Sequence, residues 1–218
     1  MSMISNDKGV FVISLDFELL WGVWDVTTKE KLIETAVRLF AERGYSATGM
    51  ADILAAAQVH RGSLYHAFPA KRDLLLAVLD YYRSGIGTRL LEPAWKSVED
   101  PIERVFALLD RYRRFLIESH CYFGCPIGSL ALELHDADES VRAMLAANFT
   151  AWIDAVEGCF VAAGDRLPAD LDRRALALFT LTTMEGGVML ARTERRLDAF
   201  DTATAMLRDY VDRLAAAA

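Results

Sequence analysis

Cysteine is scarce in this chain, with Cys121, Cys125 and Cys159 the whole set in 218 residues. An odd, low count argues against a disulfide framework and for a reducing compartment. Long apolar runs are missing as well, and none approaches the ~20 residues that a membrane span needs. The opening MSMISNDKGVFVISLDFELLWG lacks the basic start of a secretory signal, and Asp16 and Glu18 interrupt its apolar stretch. These absences predict a cytoplasmic protein. Catalytic signatures are absent too. No phosphate loop and no Ser-His-Asp order occur, so no enzyme, no catalytic residue and no cofactor is expected. There is no basic excess either: the net charge is −7, which alone argues against nucleic-acid binding. The distribution matters more than the total. Residues 1–26 set Lys8 against Asp7, Asp16, Glu18 and Asp25, whereas residues 27–82 carry seven basic and six acidic groups. The acidity therefore lies mainly outside that second segment.

What is present is helical periodicity. Hydrophobic residues make up 53% and charged residues 25%, the balance of a folded chain with a core of its own. In KEKLIETAVRLFAERGY, residues 29–45, Leu32, Ile33, Ala36, Val37 and Phe40 recur at helical spacing, and Gly44 closes the helix. Short helices at about 49–57 and 60–67 follow around a tight turn. Pro69 ends the second, and KRDLLLAVLDYYRSGI opens a longer helix running to about 91. Further helices are predicted after Pro101, over about 126–135, 137–163, 170–193 and 199–215. Val10–Leu15 is the one strand candidate. The fold class is all-α: an extension over 1–26, a three-helix unit over 27–75, and a helical bundle over 76–218.

Residues 48–68, TGMADILAAAQVHRGSLYHAF, carry the functional reading. Two short helices around a tight turn, preceded by a longer one, form the arrangement in which the second short helix enters a DNA major groove. Groove-facing residues must be short or polar so that backbone can approach the bases; Arg61, Gly62 and Ser63 meet that need. Tyr65 and His66 come next, where the helix passes phosphate. Lys71 opens the following helix, where its charge and the free N–H groups suit a phosphate.

The run AVRLFAERGYSATGMADILAAAQVHRGSLYHAFPAKRDLLLAVL resembles the N-terminal domain of the TetR/AcrR regulators, with GSLYHAFPAKRDLL the most specific piece. The resemblance implies a transcriptional regulator, a homodimer binding a palindromic double-stranded operator and released by a small-molecule effector. It implies that Thr48 flanks the second helix and touches phosphate, that Arg61 and Ser63 face bases with Gly62 permitting approach, and that Tyr65, His66 and Lys71 clamp phosphates. Leu64, Phe68 and Val59 become core. Two positions depart from the family pattern. Gln58 replaces the usual turn glycine, at a cost of roughly 1 kcal/mol if φ is positive there. His60 replaces Ser or Thr at the helix start, and reads either as a groove contact or as a solvated helix start. A helical ligand-binding or enzyme-like protein with a vestigial DNA reader is the alternative, resting on the acidic total and on Gln58.

The second half is rich in large apolar groups, including Phe115, Phe123, Phe149 and Trp152, most of them core and some expected to line an effector pocket. CYFGCPIGSLALEL resembles the cysteine-bearing stretch of NemR-like members of the same family, the N-ethylmaleimide-responsive repressors. That likeness makes Cys125 a sensor candidate, with a thiol whose pKa a helix start at Pro126 would lower. The other reading is a small buried hydrophobe. Cys121, Cys125, His120 and His135 do not have the spacing of a recognised zinc motif, so no metal site is expected. Asp136, Asp138 and Glu139 read as a helix N-terminus. Leu176, Phe179, Thr180, Thr183 and Gly187, with Met206, Tyr210 and Leu214, form stripes suited to a dimer seam or to burial within one subunit. Residues 10–25, VFVISLDFELLWGVWD, resemble instead the opening strand of NodB-type polysaccharide deacetylases. The remaining barrel and its histidine ligands are missing, so these residues read as a fused extension or a packing arm.

Overall fold

A computed structural model describes residues 27–134 and 136–218. The Val10–Leu15 strand, the deacetylase-like run and His135 fall outside the described residues. Ten α-helices follow one another among the described residues: α1 Thr28–Arg43, α2 Met50–Ala57, α3 Arg61–Ala67, α4 Lys71–Ser84, α5 Glu92–Trp95, α6 Pro101–Glu118, α7 Pro126–Glu133, α8 Glu139–Ala162, α9 Arg173–Glu194 and α10 Asp198–Ala216.

Local chemistry accounts for the boundaries. Thr27 caps α1 in a reciprocal box: its hydroxyl accepts from the Glu30 N–H at 3.3 Å, and the Glu30 carboxylate accepts from the Thr27 N–H at 2.9 Å. Gly44, at φ 85°, ends α1 in a conformation that a side chain would resist. Proline opens α6 and α7 at the first position, where its missing N–H is not needed. Asp138 caps α8 through the Ser140 and Val141 N–H groups, as the acidic cluster predicted. The long helix expected to reach residue 91 stops at Ser84 and passes into a π-helical stretch, Ile86–Leu91. The widening starts at Gly85, where an added Cβ would collide with the Arg89 guanidinium folded back over the Tyr81 ring.

Leu32, Ala36, Leu39 and Phe40 of α1 meet Ile53 of α2, Leu64 of α3 and Leu74, Leu75 and Val78 of α4 in one buried core. Each leucine fully buried there contributes roughly 1.5–3 kcal/mol. Phe68 is buried and Val59 packs against the same core. The bundle core forms around α6 and α8, with Leu108, Leu109, Tyr112 and Leu116 against Trp152, Val156 and Phe160. α4 belongs to both cores, since it packs on α1 and on α8. Asn148, buried in α8, fastens that contact by donating to the Leu79 carbonyl at 3.0 Å. The 75/76 division read from the sequence thus falls inside a helix shared by both halves.

The stripe on α9 divides in two. Leu176, Thr180 and Gly187 are buried within the subunit, and an added Cβ at Gly187 would sit 3.1 Å from the Phe200 Cα of α10. Phe179, Leu190, Met206 and Tyr210 stay exposed on the outer face of α9 and α10. No helix among the described residues is long and apolar enough to cross a membrane.

Candidate nucleic-acid interface

The turn between α2 and α3 hinges on Gln58, which takes φ 52° and ψ 44°. This is the left-handed conformation that the position was suspected of requiring. A polar side chain tolerates it at a cost of about 1 kcal/mol, so the absence of glycine leaves the turn intact. The turn delivers His60 as the N-cap of α3, with no hydrogen bond from its side chain to the helix. Arg61, Gly62 and Ser63 lie in the first turn and are exposed, whereas Leu64 is fully buried. Leu64, with Ala67 packed beside it, thus anchors a short helix whose other face is bare. Tyr65 and His66 are exposed too, and the Arg61 guanidinium lies 5.6 Å from the Tyr65 ring centroid. An added Cβ at Gly62 would meet nothing within 4 Å. The protein's own packing therefore gives no reason for glycine at that position.

Two expected residues sit differently. Thr48 has no exposed surface, and its hydroxyl donates to the Gly44 carbonyl at 2.7 Å while its N–H donates to Tyr45. It is a structural bolt between α1 and α2, and the expectation that it touches phosphate is corrected. Lys71 does open α4, but its ammonium lies 4.0 Å from the Tyr45 ring centroid, between Glu133 and Asp52. Burial lowers its pKa, against the pull of those two carboxylates.

Two ties that spacing in the sequence could not reveal join this unit to the bundle. The Glu133 carboxylate, at the end of α7, accepts from the N–H groups of Tyr45 at 2.9 Å and Ser46 at 2.5 Å. Asp138 accepts from Arg72 of α4 through two bonds of 2.5 and 2.9 Å, which hold its carboxyl down to a pKa of about 2.

Comparison with known proteins places this architecture. A family model described as bacterial regulatory proteins, tetR family, matches residues 32–78. A second, described as the C-terminal domain of LmrA/YxaF-like transcriptional regulators, matches residues 101–206. An uncharacterised HTH-type transcriptional regulator of Mycobacterium tuberculosis is 33% identical over 189 residues, covering 84% of this chain and 93% of the relative. The chain belongs to the TetR family of transcriptional regulators. The transcriptional regulator AcuR of Cereibacter sphaeroides is 31% identical over 194 residues, covering 84% of this chain and 85% of AcuR. A crystal structure of the regulatory protein TetR from Rhodobacter sphaeroides superposes with a TM-score of 0.74 at 29% identity, over 83% of this chain and 96% of that one. The reduced form of Escherichia coli NemR shares the fold, with a TM-score of 0.71 at 22% identity over 84% and 95%. The protein is thus a helix-turn-helix, DNA-binding regulator. The matches span the reader itself and do not favour the vestigial alternative.

Cys125 caps α7 as expected, its sulfur 3.5 Å from the Gly128 N–H. The expected lowering of its pKa is nevertheless reversed. Burial, and then the adjacent Glu185 carboxylate, push the thiol well above its ordinary value, outweighing the helix N–H groups. All three cysteines are buried. Iodoacetamide should therefore modify Cys125 in the native protein roughly 100-fold more slowly than in urea. Equal rates in peptide-mapped mass spectra would contradict this account. Of the aromatic candidates, Phe149 lines a cleft with Cys125, Trp152 is buried behind it, Phe123 is half-buried, and Phe115 is exposed beneath the Arg111 guanidinium.

Proposed function

We propose that this TetR regulator is a dimeric repressor that leaves a palindromic operator when a small molecule occupies the bundle. The observation that carries the DNA half of this reading is the first turn of α3. His60, Arg61, Gly62 and Ser63 face solvent together, and Leu64 alone ties that turn to the core. In this reading Arg61 and Ser63 meet base edges with His60 beside them, and Tyr65 and His66 meet phosphate. Lys71 serves phosphate only by leaving the Tyr45 ring. The dimer is supported by the apolar face of Phe179, Leu190, Met206 and Tyr210, which no other described residue covers. Two-fold pairing through α9 and α10 then presents two readers to successive turns of one DNA face, ~34 Å apart. Release by a reversibly bound small molecule is favoured over thiolate chemistry, because Cys125 is buried and its thiol pKa is pushed up.

Selection from random duplexes tests the reading. The expected outcome is a two-fold symmetric site bound by a dimer, with affinity falling steeply as salt rises. Equal affinity for selected and scrambled duplexes would remove the repressor assignment.

A further inference from the structure

The cleft beside Cys125 has a polarity of its own. It encloses about 510 Å³ between α7, α8 and α9. Cys125, Gly128 and Ser129 form one wall, and Glu185, Met189 and Arg192 of α9 the other, with Phe149 between them. Glu185 and Arg192 are seven residues apart, two turns along one helix face, so their backbones stand ~10 Å apart.

The two ends offer opposite chemistry. At the inner end, one Glu185 oxygen packs against Gly128, where an added Cβ would collide with it. The other oxygen, Oε1, is buried with no N–H or O–H donor, and the Cys125 thiol is the one weak donor beside this carboxyl among the described residues. Burial raises this carboxyl's pKa, and the neighbouring Cys125 thiol only partly offsets it. A buried carboxylate oxygen without a donor costs free energy that an incoming N–H or O–H would recover. At the outer end, Arg192 donates to the Ser129 hydroxyl at 2.7 Å and to the Tyr122 carbonyl at 3.3 Å, and Arg195 donates to the Cys121 carbonyl at 2.5 Å. Among the described residues both guanidiniums are held by neutral acceptors, which leaves their charge to an anion. Between the ends the surface is apolar, formed by Phe149, Val188 and Met189.

We propose that this cleft binds a small amphoteric molecule, with a protonated nitrogen on Glu185, an acid group at Arg192 and Arg195, and a short apolar body across Phe149 and Met189. A simple amine would meet the two arginines unfavourably at the mouth. A simple acid would leave Glu185 with the weak Cys125 thiol donor alone. A molecule carrying both groups several bonds apart satisfies each end.

This inference rests on the effector-responsive reading, but the binding it describes needs no DNA. Calorimetric titration of the full chain with 6-aminohexanoate, hexanoate and hexylamine tests it. 6-Aminohexanoate should bind about ten-fold tighter than either one-ended analogue. Glu185→Gln, which keeps the side-chain volume, should remove that advantage and leave hexanoate unchanged. Arg192→Gln should weaken hexanoate and 6-aminohexanoate alike, with thermal melts verifying that both variants fold. If the three compounds bind equally, or none binds a protein that still holds its selected operator, the amphoteric site is wrong while the DNA-binding reading stands. If 6-aminohexanoate binds as described but operator affinity does not change, the site stands and ligand-driven release falls.

Discussion

Gly62→Leu is expected to abolish specific operator binding without loss of stability. Two facts separate the two effects. An added Cβ at Gly62 meets nothing within 4 Å, and the residue is exposed in the first turn of α3. Glycine inside a helix costs about 0.8–1 kcal/mol relative to alanine, so replacement should raise the melting temperature slightly. Nothing in the free protein therefore requires glycine at this position. A requirement would arise only if another body approaches the backbone closely, as a DNA groove floor does. A leucine side chain would hold the helix away from the bases and break the Arg61 and Ser63 contacts together. Two base contacts at ~1–3 kcal/mol each imply a loss of roughly 100-fold or more. Gly62→Ala should lose less, because a single methyl moves the helix less. Fluorescence anisotropy on the selected duplex, with a thermal melt of each variant, checks both halves. A leucine variant binding within two-fold of the parent would show that α3 does not enter the groove by this turn.

The reader was legible in the sequence because its information is local. Apolar spacing over residues 29–45, the short run before Pro69 and the polar residues at 60–63 each dictate a helix or a surface within a few residues. Gln58 shows the same: only the turn's geometry decides its φ, and the structure gives 52°. Thr48 was misjudged because a threonine beside a helix start can point outward or inward. The choice depends on Leu39 and Gly44, whose carbonyls accept its hydroxyl. For Cys125 the buried reading agrees with the structure, while the expected lowering of its pKa does not. Its helix position was legible, but the element that buries it was not. Burial by helices distant in the chain, and then the carboxylate of Glu185 60 residues away, reverse what the helix terminus alone would do. The charged cleft and the Glu133 tie share that origin, since each joins residues more than 50 positions apart.

Glu133→Ala should loosen the reader from the bundle, and pH should expose the mechanism. Glu133 closes α7, an eight-residue helix about 12 Å long whose other end is Cys125, in the wall of the cleft proposed to take the effector. Its carboxylate is the acceptor for two backbone N–H groups just past the end of α1. Displacement of α7 by anything entering the cleft would therefore be felt at Tyr45 and Ser46, at the base of the helix-turn-helix. Removing the carboxylate leaves both donors to solvent, at a cost of about 1–2 kcal/mol for a partly exposed pair. A chain of this size would lose roughly 2–4 °C in melting temperature for each of those kcal/mol. Burial alone would raise the Glu133 pKa, but the bonds from Ser46 and Tyr45 and the Lys71 charge hold it below its ordinary 4.5. A depressed folded pKa means that the contribution is fully present above 4.5 and disappears as pH falls through the lower folded value. Parent and variant should therefore differ in urea melts at pH 7 and converge as pH falls below 4.5. Effector-driven release should weaken in the same variant, because the differential contact that links the two sites has been removed. A stability gap that persists unchanged in acid would place the loss in side-chain packing instead of in the carboxylate's bonds to the reader.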